Sequence, residues 1–401
     1  MKKYTQLLST QPILKRLSII QLIAYFGAWL SNVAIYTLLL EMKVSVSIIG
    51  FVAMLHFIAG VFQAPFSGPI IDSMKPKKLM LLLLFIEIIV TFMLLFIHEV
   101  SDLWFLYILI FIKMAAASFY FTTEMSLLPK ILTGDKLQKA NELHSIIWSL
   151  SYTLGMALGG LLVYLFGVTL AFVIDACIFV ISFFLLYNLK MDIRLEKSKE
   201  SFFQMMRGTF SYLKAYPHAM HLMFVHAFVG LTAFDALVAL MVDKYYGGII
   251  ATSLALGLLH ASRAFGLVLG PILLGNWINN KRIVYLFLFQ AFAVVLWANM
   301  MHNFYLSLIA SVLVGLFTTT LWSYTYTLLQ KNIDEKFYGR IVAYNDMLFL
   351  LMAAFTSFMT GYLASIGFSL ESIAVLIACG FALGSIYYAW VLRTQNIKDI
   401  C

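Results

Sequence analysis

The sequence predicts an all-α membrane protein: twelve transmembrane helices in two pseudo-symmetric six-helix bundles. Three observations predict it. First, hydrophobic residues make up 62% of the 401-residue chain and charged residues 11%. A soluble domain has about half and about a quarter, so there are too few charges here to cover a water-facing surface. Second, the apolar residues gather in twelve runs, each near the roughly 20 residues that cross a bilayer as a helix. The runs are continuous rather than alternating, which disfavours a β-barrel. Lipid offers the backbone no hydrogen-bond partners, so each run must be helical. Third, Lys and Arg fall almost wholly on alternate connections.

The first run, 17–40, follows a basic start (Lys2, Lys3, Lys15, Arg16) and carries Tyr25, Phe26 and Trp29. It is too long for a signal peptide and no small-residue cleavage site follows it, so it is expected to be retained as a span. The second run, 47–66, leads into Gly68-Pro69-Ile70 and Asp72. The third, 79–98, contains Glu87, for which the residues offer no role. The fourth, 103–124, holds Lys113, about ten residues in and so roughly 15 Å along the helix, near the bilayer centre. Glu124 is about 20° from it on a helical wheel, so the two share a stripe. The fifth, 143–165, carries Gly155, Gly159 and Gly160, and the sixth, 168–189, carries Asp175.

The hydrophilic stretch 190–217 then divides an N-terminal bundle, 1–189, from a C-terminal one, 218–401. Phe202, Phe203, Met205 and Met206 among its charges predict an interfacial amphipathic helix. The seventh run, 218–242, holds His226 and Asp235. The eighth, 251–275, holds His260 and Arg263, whose spacing of three puts them on one helix face. The ninth, 283–301, is followed by the tenth, 303–328, with Trp322, Tyr324 and Tyr326. The eleventh, 341–365, starts with Asn345 and Asp346, placed for N-terminal capping or for a gate contact with the Asp72 segment. The twelfth is 371–392.

The charges set an orientation. With the N-terminus in the cytoplasm, every one of the 27 Lys and Arg residues lies on the cytoplasmic side except Lys43 and Lys244 in outer loops and Lys113 and Arg263 within spans. That is the positive-inside pattern, with both termini cytoplasmic. The net charge of +8 therefore reflects membrane topology, and no nucleic-acid partner is expected. Cys177, Cys379 and Cys401 show no metal or disulfide spacing. Two echoes link the halves: Gly68-Pro69-Ile70 with Gly270-Pro271-Ile272, and Leu127-Leu128-Pro129-Lys130 with Leu328-Leu329-Gln330-Lys331. Duplicated six-span halves are a transporter architecture with the solute site near mid-membrane.

Several segments resemble the major facilitator superfamily. GPIIDSMKPKK, with Gly68, Asp72, Lys75, Lys77 and Lys78, is similar to its loop signature between the second and third spans, although Ser73 stands where a basic residue is usual and Pro76 interrupts the cluster. Residues 127–176, through Pro129, Leu137, Ala140, Asn141, Gly155, Gly159, Gly160, Gly167 and Asp175, resemble the exporter branch that includes enterobactin exporters, macrolide and multidrug efflux pumps and lysophospholipid transporters. LLQKNIDEKFYGRIVA, with Gln330, Gly339 and Arg340, resembles the same branch before the eleventh span. The Gly155-Met156-Ala157-Leu158-Gly159-Gly160 run looks like its helix-5 exporter motif with Met in place of Pro, and plain small-residue packing explains it equally.

The resemblance implies the major facilitator fold, alternating access, a bacterial inner (plasma) membrane location and a gating segment of Gly68, Asp72, Lys77, Lys78, Gly339, Arg340 and Asp346. It also implies a central cavity lined by Lys113, Glu124, Arg263, Tyr25, Trp29, Tyr120, His260 and Trp322. Intramembrane charges usually mark pathways, yet a structurally paired Lys113 is the alternative. Asp235, desolvated, is the candidate proton carrier, with an ion pair to Arg263 as the other reading. Asp175 is read as structural. The expected function is a monomeric, proton-coupled exporter of amphipathic small organic molecules, with Lys113 and Arg263 favouring anionic or zwitterionic cargo. A divalent-metal exporter using His226 and His260 and a lysophospholipid flippase are the alternatives. No nucleophile–base constellation, phosphate-binding loop, metal motif or cofactor motif is present, so neither an enzyme nor a cofactor is expected.

Overall fold

A computed structural model describes residues 2–191, 202–334 and 337–398, with the backbone alone at positions 2, 3, 68, 69, 72, 73, 134, 135, 138, 202, 203, 205, 206 and 338. Among the described residues the regular structure is helical: α1 (Lys2–Thr10), α2 (Pro12–Glu41), α3 (Val46–Ser73), α4 (Pro76–Met93), α5 (Leu103–Ile131), α6 (Gly134–Tyr187), α7 (Phe202–Ala215), α8 (Pro217–Ala227), α9 (Asp235–Met241), α10 (Thr252–Leu274), α11 (Arg282–Met300), α12 (Phe304–Lys331), α13 (Tyr338–Ser365) and α14 (Leu370–Thr394). Helices α2, α4 and α8 open on proline, whose missing N–H and fixed φ suit a first helical position.

Eleven helical stretches among the described residues are long and apolar enough to cross a membrane. One of them, inside α6, breaks at Gly167, where φ is +81° and ψ 170°. Glycine adopts that conformation without a Cβ clash. The break separates the expected fifth and sixth spans, so twelve crossings stand.

Three features differ from expectation. The seventh span is not one helix: α8 passes into a tight 3-10 turn over 228–232, the chain bends at Ala233, and α9 resumes at Asp235. The cause is tertiary. Gly230 lies directly on the α13 backbone, where a Cβ would come within 2.6 Å of the Phe349 carbonyl oxygen, and the bend frees the Thr232 carbonyl to accept from Arg263 Nη2 at 3.0 Å. The Gly68–Asp72 segment is helical, part of α3 rather than a loop. Helix α13 begins at Tyr338, about two turns before Asn345 and Asp346, so these residues do not cap it.

The chain forms two compact units. Unit 1 comprises Met1–Lys43, Phe62–Ser198 and Ser253–Ala261, and unit 2 comprises Val44–Val61, Lys199–Thr252 and Ser262–Cys401. They differ from the linear halves by two exchanged segments, 44–61 and 253–261. In unit 1, α2 packs along α6, and Leu17, Ile20, Leu83, Ala116, Leu127 and Phe179 share one buried core. Here Gly160 meets Gly257: a Cβ on Gly160 would lie 2.5 Å from the Ser253 carbonyl oxygen and 2.9 Å from the Gly257 Cα. Close approach of this kind is what small residues permit between membrane helices. Gly160→Val is expected to cost about 1–3 kcal/mol through overpacking, read as a lowered unfolding midpoint in detergent; an unchanged midpoint would mean the crossing relaxes freely.

In unit 2, the amphipathic helix expected within 190–217 is α7. Its Tyr212 stacks on Phe337 with ring centroids 4.5 Å apart and accepts from the Asp334 backbone N–H at 3.0 Å. Burial raises the Tyr212 phenol above its ordinary pKa. Large apolar side chains such as Phe62, Trp104, Phe292 and Ile386 stand exposed, as a lipid-facing surface requires.

Candidate functional site

Unit 1 holds two polar constellations inside its helices. The first is an ionic cluster. Lys113 on α5 places its Nζ 2.6 Å from Thr91 Oγ1, 3.0 Å from Asp175 Oδ2 and 3.5 Å from Glu87 Oε2, and 4.6 Å from the Phe179 ring centroid. Ser31 of α2 donates to Asp175 Oδ2. The three charged residues are each at most 3% exposed. Glu87 Oε2 and Asp175 Oδ1 are buried and accept no hydrogen bond. Of the two readings of Lys113, facing cargo or structurally paired, the contacts are those of the second: two carboxylates hold it, because α4, α5 and α6 pack their three charges together. Its charge is therefore answered inside the unit, which removes the support it lent to an anionic cargo.

The second constellation is an aromatic wall around Glu124. Tyr25 Oη donates to Glu124 Oε2 at 3.4 Å, and Tyr120 is buried on the same helix as Glu124. His144 lies edge-on to both Tyr25 and Phe121. Further along α2, Trp29 packs against Tyr152 and Trp148, with centroids 4.6 and 5.7 Å away, and Trp148 stacks on Tyr152. Tyr152 Oη lies 3.2 Å from His260 Nδ1. Glu124 is 2% exposed, and among the described residues no salt bridge reaches it. A cavity of about 10 Å³ lined by Ser18, Gln21, Glu124 and His144 approaches the size of one water molecule. Glu124 and Lys113 both face inward on α5, as the shared stripe requires, but they serve different clusters.

Unit 2 carries an aromatic wall of its own. Trp322 and Tyr326 stack 5.0 Å apart, His226 stands edge-on to both, and His226 Nδ1 lies 2.8 Å from Thr325 Oγ1. Arg263 lies 5.2 Å over the Phe234 ring besides holding the Thr232 carbonyl. Asp235 is half-buried in the first turn of α9. His226 and His260 thus belong to separate compact units, and among the described residues no group of three or more His, Cys, Asp or Glu gathers as a metal site would.

Of the gating residues, the side chains at 68 and 72 lie outside the described residues. Lys77 donates to the Tyr187 carbonyl at 2.8 Å, and Lys78 is exposed. These two and Lys75 border an open pocket of about 270 Å³. Gly339 and Arg340 lie in the first turn of α13. Asn345 Nδ2 donates to Asp346 Oδ1 at 3.4 Å. Gly155 and Gly159 of the helix-5 run press on the α2 backbone, beside Phe26 and Leu30. The motif acts here as a packing surface.

The sequence profile of the family described as Major Facilitator Superfamily matches residues 17–248. A curated relative, the "Uncharacterized MFS-type transporter YfiS" of Bacillus subtilis (strain 168), is 28% identical over 179 residues; the match spans 44% of this chain and 42% of the relative's length, less than half of either. Similar solved structures include the nucleoside transporter NupG (13% identity, 96% of this chain and 100% of that one, TM-score 0.71). Others are a bacterial homologue of the human lysosomal transporter Spinster (14%, 96% and 97%, 0.72) and a D-xylose–proton symporter (10%, 93% and 96%, 0.73). At these identities the likeness is one of fold alone.

Proposed function

Because the chain belongs to the major facilitator superfamily, whose members are secondary transporters working by alternating access and not enzymes, we propose that it is a proton-coupled exporter of amphipathic organic molecules, cationic ones above all. The observation that carries this reading is the Glu124 wall: a buried carboxylate that no salt bridge reaches among the described residues, flanked by aromatic rings. Ring faces and a carboxylate attract an organic cation together, and the attraction strengthens when water is excluded. With the Lys113 charge answered by Asp175 and Glu87, the acid of the aromatic wall is left to meet cargo in unit 1, and it suits a cationic cargo better than an anionic one.

Export, and with it an efflux antiport cycle, draws its support from the exporter-like segments 127–176 and 330–340. The distribution of basic residues supports a cell-membrane protein with both termini cytoplasmic. A single chain is taken as the working unit. The driving proton is not placed on Asp235. That side chain is half-buried in the first turn of α9, whereas the acids inside unit 1 are almost wholly buried; Asp235→Asn is expected to leave gradient-driven transport in place.

The test uses proteoliposomes and ethidium, a fluorescent lipophilic cation. An imposed pH gradient should drive ethidium accumulation, and an uncoupler should abolish it. Ethidium flux indifferent to the gradient would remove the coupling. Movement of transition-metal ions or of lysophospholipid without ethidium flux would replace the substrate class.

A further inference from the structure

We infer that the Lys113–Glu87–Asp175 cluster is a proton-binding site, and that Glu87 carries the proton this transporter moves. The inference rests on the proton-coupled reading above for the carrier role alone; the bound proton follows from the geometry. Two carboxylates face one ammonium group. Asp175 Oδ2 takes the 3.0 Å contact with Lys113 and also accepts from Ser31, so Lys113 and Asp175 form a neutral, hydrogen-bonded pair. Glu87 is the second acid, 3.5 Å from the same ammonium, and its Oε2 accepts no hydrogen bond. Ionised, it would leave one uncompensated negative charge in an interior where every member of the trio is at most 3% exposed. A buried cluster with a net charge, here two carboxylates against one ammonium, is what proteins avoid by binding a proton.

Among the described residues, the surroundings supply no other charge. Helix α2 brings Gly27 and Ser31, α4 brings Glu87 and Thr91, α5 brings Lys113, and α6 brings Asp175 and Phe179. Among the described residues, the titratable groups of the cluster are Lys113, Glu87 and Asp175. The α2 backbone closes one side: a Cβ on Gly27 would strike Asp175 Oδ1 and lie 2.9 Å from Ile178. The trio is thus shielded from bulk water in the state described here, and the movement assigned to proton exchange is a shift of α2 from α6. The step balances simply. A proton from water on one side bonds to a carboxylate oxygen of Glu87; after α2 shifts, the O–H bond breaks and the same proton enters water on the other side.

Two measurements on the full chain test this. Infrared spectroscopy at neutral pH should show a protonated-carboxyl C=O band that Glu87→Gln removes. A band spectrum unchanged by both Glu87→Gln and Asp175→Asn overturns the site. If neither amide variant folds, the chain carrying Glu124→Gln and Asp346→Asn decides instead: a remaining band supports the bound proton and its absence overturns it. In ethidium proteoliposomes, Glu87→Gln should reduce gradient-driven accumulation to the level of protein-free vesicles while keeping exchange down the dye's own gradient. A purely structural trio would lose both or neither. Gradient drive that survives in both amide variants overturns the carrier role alone. A wild-type flux blind to the gradient overturns the proton coupling and the carrier role with it, while the infrared result still reports the bound proton.

Discussion

Lys113→Met is expected to lower folding stability by about 3–5 kcal/mol, the usual penalty for removing one partner of a buried ion pair. The residue is 1% exposed, and its ammonium is the cation shared by Glu87 and Asp175. Its loss strands the Asp175 carboxylate, takes the cation from beside Glu87, and leaves the Thr91 hydroxyl without the donor it accepts from at 2.6 Å. The measurement is reversible unfolding in mixed micelles, and the informative comparison is the triple variant Lys113→Met, Glu87→Gln, Asp175→Asn. That variant should recover most of the loss, because neutral groups of similar shape replace a buried ionic set at little net cost. A Lys113→Met protein as stable as the wild type would mean that water enters the cluster and screens it.

Glu124→Gln is expected to weaken binding of lipophilic cations by about 1.5–3 kcal/mol, roughly ten- to a hundredfold in Kd, with little change in folding. The amide keeps the size of the side chain and an oxygen for the Tyr25 hydroxyl but cannot give up a proton when a cation binds, so no negative charge forms to meet the cargo. Titration of purified protein with ethidium reads the effect directly. Unchanged ethidium affinity would take the carboxylate out of recognition. Binding of an anionic dye by the wild type would return the preference to anions.

The class of fold was legible because it follows from hydropathy and charge bias alone, and run lengths anticipated most helix positions to within a few residues. Gly167 shows what they could not do unaided: the fifth and sixth spans are one continuous helical stretch interrupted by a single backbone conformation. The broken seventh span was invisible, since the break depends on Gly230 meeting α13 and on Arg263 reaching the Thr232 carbonyl, both long-range contacts. The same limit applied to the charges. Glu87, Lys113 and Asp175 each stood out as ionisable residues within apolar runs. Their meeting requires α4, α5 and α6 to be packed, and no spacing along the chain encodes that. Asp346 misled because the apolar run starts later than the helix does. The stripe shared by Lys113 and Glu124, by contrast, was readable from helical periodicity within one element.

The segments that the two compact units exchange have a consequence for biosynthesis. Unit 1 lacks residues 253–261 until the ribosome has passed well beyond the midpoint of the chain, and residues 44–61 are inserted long before the remainder of their own unit exists. Early spans must therefore wait in the bilayer with part of their packing surface unfilled. Fragments cut within 190–217 should be recovered together when coexpressed and be short-lived when made singly.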